Sequence, residues 1–88
     1  MNINYLISFL TLIKLGSYTK AAKKLYITQP GLSFQIKQLE KEVGLPLFDN
    51  HNTRNLHLTE AGKRLFRYAE YISHEQLNFR YDIQPVSY

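Results

Sequence analysis

Apolar residues return every three or four positions from the start of the chain: Leu6, Phe9, Leu10 and Ile13 stand at i, i+3, i+4 and i+7, the period of one face of an α-helix. The spacing predicts a first helix from about Ile3 to Leu15, with Gly16 as its C-terminal stop. Ser17 or Thr19 is placed to cap a second helix, in which Ala21, Ala22 and Leu25 face inward and Lys20, Lys23 and Lys24 face out. Small alanine side chains allow another helix to cross closely. After Tyr26-Ile27 comes the polar tripeptide Thr28-Gln29-Pro30. Thr28 is read as an N-cap with Gln29 and Pro30 in the first turn, where the missing proline N–H costs nothing. The third helix that starts there turns Leu32, Ile36, Leu39 and Val43 inward and ends at Gly44.

The pattern then changes period. Leu45-Pro46-Leu47-Phe48 leads into the turn-formers Asp49-Asn50-His51-Asn52-Thr53, and Arg54-Asn55-Leu56-His57-Leu58 alternates polar and apolar as a half-buried strand does. A short hairpin is expected. Thr59 is placed to cap a fourth helix, with Glu60 in the first turn where the helix dipole favours an acid. Along it Leu65, Ala69, Ile72, Gln76, Phe79 and Ile83 recur at steps of four and three, a heptad seam interrupted by one polar position; its N-terminal part is expected to pack on the first helix of its own domain and the remainder across a dimer. Gly62 inside this helix lowers propensity by about 1 kcal/mol relative to Ala, which points to close packing against the rest of the domain. Pro85 marks the latest helix end.

Length and composition narrow the classes. The 88 residues make one small domain, near the size at which a single core is only marginally sufficient. There is no cysteine, so neither disulfides nor cysteine-bound zinc can staple it. No run reaches the apolar length that spans a bilayer, and the N-terminus lacks a signal-peptide pattern; the chain is read as soluble and intracellular. The net charge of +4 is unevenly spread: Met1 to Leu39 carries five lysines and no acid. From Tyr68 onward the balance reverses, Arg80 standing against Glu70, Glu75 and Asp82. A basic globular part suits an anionic surface, and an acidic, aromatic tail suits protein contact.

Two helices joined by about three residues, the first with small inward residues and a lysine face, form a helix-turn-helix pattern. In that motif the second helix enters the major groove. The exposed side of the third helix supplies Gln29, Pro30, Ser33, Phe34 and Lys37, with Gln38 and Lys41 further along. Glutamine pairs with adenine through two bonds, serine meets either kind of edge, an apolar group meets a thymine methyl, and lysine meets guanine or phosphate. Phe34 has a competing reading, folded back over the second helix near Lys24 or Tyr26. His51, His57, His74 and Asp49 match no compact metal-ligand spacing, and Ser17 and Ser33 have no histidine–acid partner at a suggestive distance along the chain. Neither a metal, another cofactor nor catalysis is expected.

The string SYTKAAKKLYITQPGLSFQIKQLEKEVGLPLF, followed by LTEAG, closely resembles the N-terminal DNA-binding domain of LysR-type transcriptional regulators, over Asn2 to about Ile72. The resemblance implies a mainly α winged helix-turn-helix over residues 1–58, and over residues 59–88 a dimerising linker helix with its tail. It implies double-stranded promoter DNA as partner, bound at an interrupted palindrome by a homodimer, in a cytoplasmic, nucleoid-associated protein. Gln29, Pro30, Ser33, Phe34 and Lys37 are then the base-reading residues; Lys20, Thr28, Gln35 and Arg54 the contacts to backbone or wing groove; and Leu65, Ala69, Ile72, Gln76, Phe79 and Ile83 the dimer seam. One departure concerns the wing: family members commonly carry an acid then Arg after Leu-Phe, whereas Asp49 is followed here by Asn50. The family continues into a larger effector-binding domain, so these residues are expected to be the DNA-binding part of a longer chain, with no membrane contact and no small-molecule effector site. The alternative is a short architectural winged-helix protein that binds DNA nonspecifically or pairs with full-length regulators.

Overall fold

The computed structural model describes the backbone of residues 1–49 and 56–83, and the side chains of residues 1–49 and 56–72. Four helices follow in order: α1 (Ile3–Leu15), α2 (Tyr18–Leu25), α3 (Gln29–Val43) and α4 (Glu60–Ile83). Each boundary has a local cause. Asn2 caps α1 by accepting from the Asn4 N–H at 2.8 Å, Ser17 caps α2 by accepting from Lys20 N–H at 3.2 Å, and Thr28 caps α3 by accepting from Gly31 N–H at 3.0 Å. Gly16 and Gly44 end α1 and α3 in the left-handed conformation, with φ of 67° and 81°, where a Cβ would be disfavoured. The end of α2 does the same without glycine, for Tyr26 sits at φ 59° and ψ 39°.

The inward positions meet in one core. Phe9 and Leu12 of α1, Ala21 of α2, and Leu32, Ile36 and Leu39 of α3 are fully or almost fully enclosed. Ala21 and Ala22 let α2 approach both α1 and α3 closely. Leu47 and Phe48, just beyond α3, close one end of this core, with the Phe48 ring edge-on to Phe9 at a centroid distance of 5.8 Å.

The predicted hairpin is described at its base. Phe48 and Leu58 form an antiparallel bridge, flanked by Asp49 N–H to His57 O at 2.8 Å and Thr59 N–H to Leu47 O at 3.0 Å. Its tip, including Arg54, lies outside the described residues.

Thr59 then joins the hairpin base to α4: its Oγ1 donates to Pro46 O at 2.7 Å and accepts from Gly62 N–H at 3.0 Å. Gly62 packs so tightly that a Cβ there would overlap the Leu47 carbonyl oxygen and stand 2.9 Å from Leu58 Cδ2. The close packing expected from that glycine is present. The first turns of α4 therefore belong to the core of α1–α3. Leu65 and Ala69, at the N-terminal end of the proposed dimer seam, are 8% and 1% exposed and packed among the chain's own core residues, so they are taken up by their own domain rather than by a partner. Covering them costs no partner, because α4 lies against α1 at this level. Ile72 is half-buried, and the side chains of Gln76, Phe79 and Ile83 lie outside the described residues.

Candidate nucleic-acid interface

The α2–turn–α3 unit leaves one face of α3 free because Leu32, Ile36 and Leu39 consume the opposite face. On the free face Gln29, Pro30, Phe34 and Lys37 are exposed and Ser33 is half-exposed. Phe34 keeps 54% of its surface open. Thr28 is exposed at the N-cap, its Oγ1 already holding Gly31 N–H.

Lys20, Lys23 and Lys24 are exposed on α2. Together with Lys37 and Lys41 they give the helix-turn-helix a positive surface with no acid before Glu40. Gln35 belongs elsewhere. It is half-buried, and its Oε1 is enclosed without a hydrogen-bond partner among the described residues, which takes its acceptor out of the exposed row in which a DNA-backbone contact had been expected.

Four features of this region escaped the sequence reading. Gln29 Nε2 donates to Thr19 Oγ1 at 2.9 Å, tying the first turn of α3 to the first turn of α2. Glu40 Oε2 accepts the Leu47 N–H at 2.8 Å, tying the last turn of α3 to the base of the hairpin. Tyr18, buried on α2, has its hydroxyl pKa raised above 10.0, first by burial and then by the negative charge of Glu40. The fourth is Tyr26, 95% exposed at a left-handed turn position. Its φ is one that bulky residues adopt at a cost.

An amphipathic helix pair with a short turn, a free second helix carrying amide, hydroxyl, aromatic and lysine groups, and a basic first helix define a helix-turn-helix protein. Residues 3–63 match the family model described as bacterial regulatory helix-turn-helix protein, lysR family, and the chain belongs to that family. It is 47% identical over 64 residues, 73% of its length, to the "Probable RuBisCO transcriptional regulator" of Cyanidioschyzon merolae, of which it covers 21%. It is 48% identical over 69 residues, 78% of its length, to the HTH-type transcriptional regulator BudR of Klebsiella aerogenes, of which it covers 48%. The chain thus spans about a fifth of the first relative and about half of the second. Among solved structures, the BenM DNA-binding domain in complex with catB site 1 DNA superposes with a TM-score of 0.82 at 33% identity, covering 90% of this chain and 84% of that one. The fold is that of the winged helix-turn-helix DNA-binding domains of LysR-family transcriptional regulators. Among the described residues no helix is long and apolar enough to cross a membrane.

Proposed function

We propose that the chain binds double-stranded DNA in a sequence-specific way, as the DNA-binding module of a LysR-type regulator. The observation that carries this is the free face of α3, where Gln29, Pro30, Ser33, Phe34 and Lys37 stand together beside the lysines of α2. With α3 in the major groove these five face base edges, while Lys20, Thr28 and the hairpin residue Arg54 face phosphates or the adjoining minor groove. The BenM DNA-binding domain, solved in complex with DNA with a closely similar fold, supports DNA binding by this domain. A homodimer through the later part of α4, from Ile72 to Ile83, would place two such helices on an interrupted palindrome.

Selection from a random-sequence duplex library, followed by binding of the winning duplex and a scrambled duplex at several salt concentrations, tests this reading. Both affinities fall as salt rises, because counterions released by the lysines accompany either complex. The selected duplex keeps a large advantage at every salt concentration. Equal affinity for the two duplexes would leave a nonspecific architectural role in its place. Lys20→Ala should weaken both complexes alike and flatten the salt slope, since a phosphate contact carries no sequence information.

A further inference from the structure

Gln29 is exposed, and a free glutamine side chain on a helix surface samples many rotamers before it can meet a base edge. Ordering such a side chain costs up to about 2 kcal/mol of conformational entropy. Here the side chain is not free. Thr19, ten residues earlier and on the other helix of the motif, accepts one of the Gln29 Nε2 protons at 2.9 Å.

The chemistry of what remains is specific. A glutamine amide has two N–H donors and one carbonyl acceptor. With one N–H engaged by Thr19, a single N–H and Oε1 are left, and one donor beside one acceptor is the complement of the adenine N7 and N6 edge. In this pairing Thr19 Oγ1 sits at the nitrogen end of the amide. A cytosine amino group opposite that nitrogen would meet donor against donor. Thr19 itself is held in place by the Ser17 cap, which starts α2 two residues earlier, and Gln29 by the Thr28 cap, which starts α3 one residue earlier. Both partners are therefore on the rigid first turns of capped helices.

We infer that Thr19 is a positioning residue that holds the Gln29 amide in the orientation that reads adenine, so that discrimination at one A·T pair of each half-site depends on a residue of α2 as well as on α3. This rests on the DNA-reading role proposed above for Gln29. The benefit is preorganisation: the amide is oriented before the complex forms, and the ordering cost is removed from binding.

The test uses the selected duplex and a panel of its single-base-pair substitutions, with wild type, Thr19→Val, Thr19→Ser, Gln29→Ala and the Thr19→Val/Gln29→Ala double variant. Thr19→Val keeps the side-chain shape and removes the acceptor; far-ultraviolet circular dichroism and the thermal midpoint establish that each variant is folded. The expected result is that Thr19→Val lowers the preference for A·T at the position that Gln29→Ala affects by about two- to tenfold, the worth of one hydrogen bond, with other positions unchanged. Thr19→Ser restores the preference. The double variant discriminates no worse than Gln29→Ala alone, since both changes remove one interaction. If Thr19→Val leaves every relative affinity unchanged while Gln29→Ala still relaxes one position, Thr19 does not orient the amide and this inference is overturned with the DNA-reading role intact. If Thr19→Val weakens every duplex equally, Thr19 is a backbone or structural residue and the inference is likewise overturned. If Gln29→Ala itself changes no relative affinity, the base-reading role of Gln29 falls, and the inference falls with it.

Discussion

Gly62→Ala has a sign that only the packed structure supplies. Inside an exposed helix the substitution would stabilise by about 1 kcal/mol through propensity. Here the added Cβ would overlap the Leu47 carbonyl oxygen and lie 3.1 Å from the Leu47 carbonyl carbon. The obstacle is backbone, so no side-chain rotation relieves it, and α4 must move away from the hairpin base. Forcing a methyl into a filled site costs about 1–3 kcal/mol. The same displacement strains the Thr59 N–H to Leu47 O bond, worth about 0.5–1.5 kcal/mol. Subtracting the propensity gain leaves a net destabilisation of about 0.5–3.5 kcal/mol. At about 4–8 °C per kcal/mol for a domain of this size, the thermal midpoint should fall by several degrees. Urea and thermal unfolding followed by circular dichroism measure the free-energy loss and the midpoint shift, with Lys63→Ala as the neighbouring control. Lys63 is exposed and paired with Glu60 at 3.4 Å on the surface, so its change should stay within about 0.5 kcal/mol. A Gly62→Ala protein as stable as its parent, or more so, would refute the claim that α4 is wedged against Leu47.

Ile36 is fully enclosed, so Ile36→Ala should cost about 2–5 kcal/mol by leaving a cavity and should lower binding to every duplex alike, as read by urea unfolding beside DNA titration. Tyr26→Asn should stabilise by about 0.5–1 kcal/mol, because asparagine tolerates the left-handed conformation that tyrosine holds at φ 59°; a lower thermal midpoint would contradict this. Tyr18 has its folded-state pKa raised above 10.0, so between the unfolded and folded values the native state binds more protons than the unfolded chain. Stability is therefore fully present below about pH 10 and is lost as pH rises through the folded value. Tyr18→Phe should flatten that alkaline slope, and an unchanged slope in pH-dependent urea unfolding would remove Tyr18 as its source.

Helix limits were legible in the sequence because the signals that set them lie within a turn of where they act. Ser17, Thr28 and Thr59 cap donors three residues ahead, Gly16 and Gly44 end helices at their own φ, and the 3.6-residue period sorts Leu32, Ile36 and Leu39 from Gln29, Phe34 and Lys37. The free face of α3 could likewise be named in advance, since the buried stripe defines its complement. What tertiary structure decided involves partners on different elements, whose meeting depends on how helices cross. No local pattern joins Gln29 to Thr19 or Glu40 to Leu47, and none encloses the Gln35 carbonyl oxygen while its neighbour Phe34 stays open. The α4 seam shows the limit most directly: a heptad repeat states that a stripe will be covered but not by what, and the crossing of α4 over α1 assigns Leu65 and Ala69 to the chain's own core.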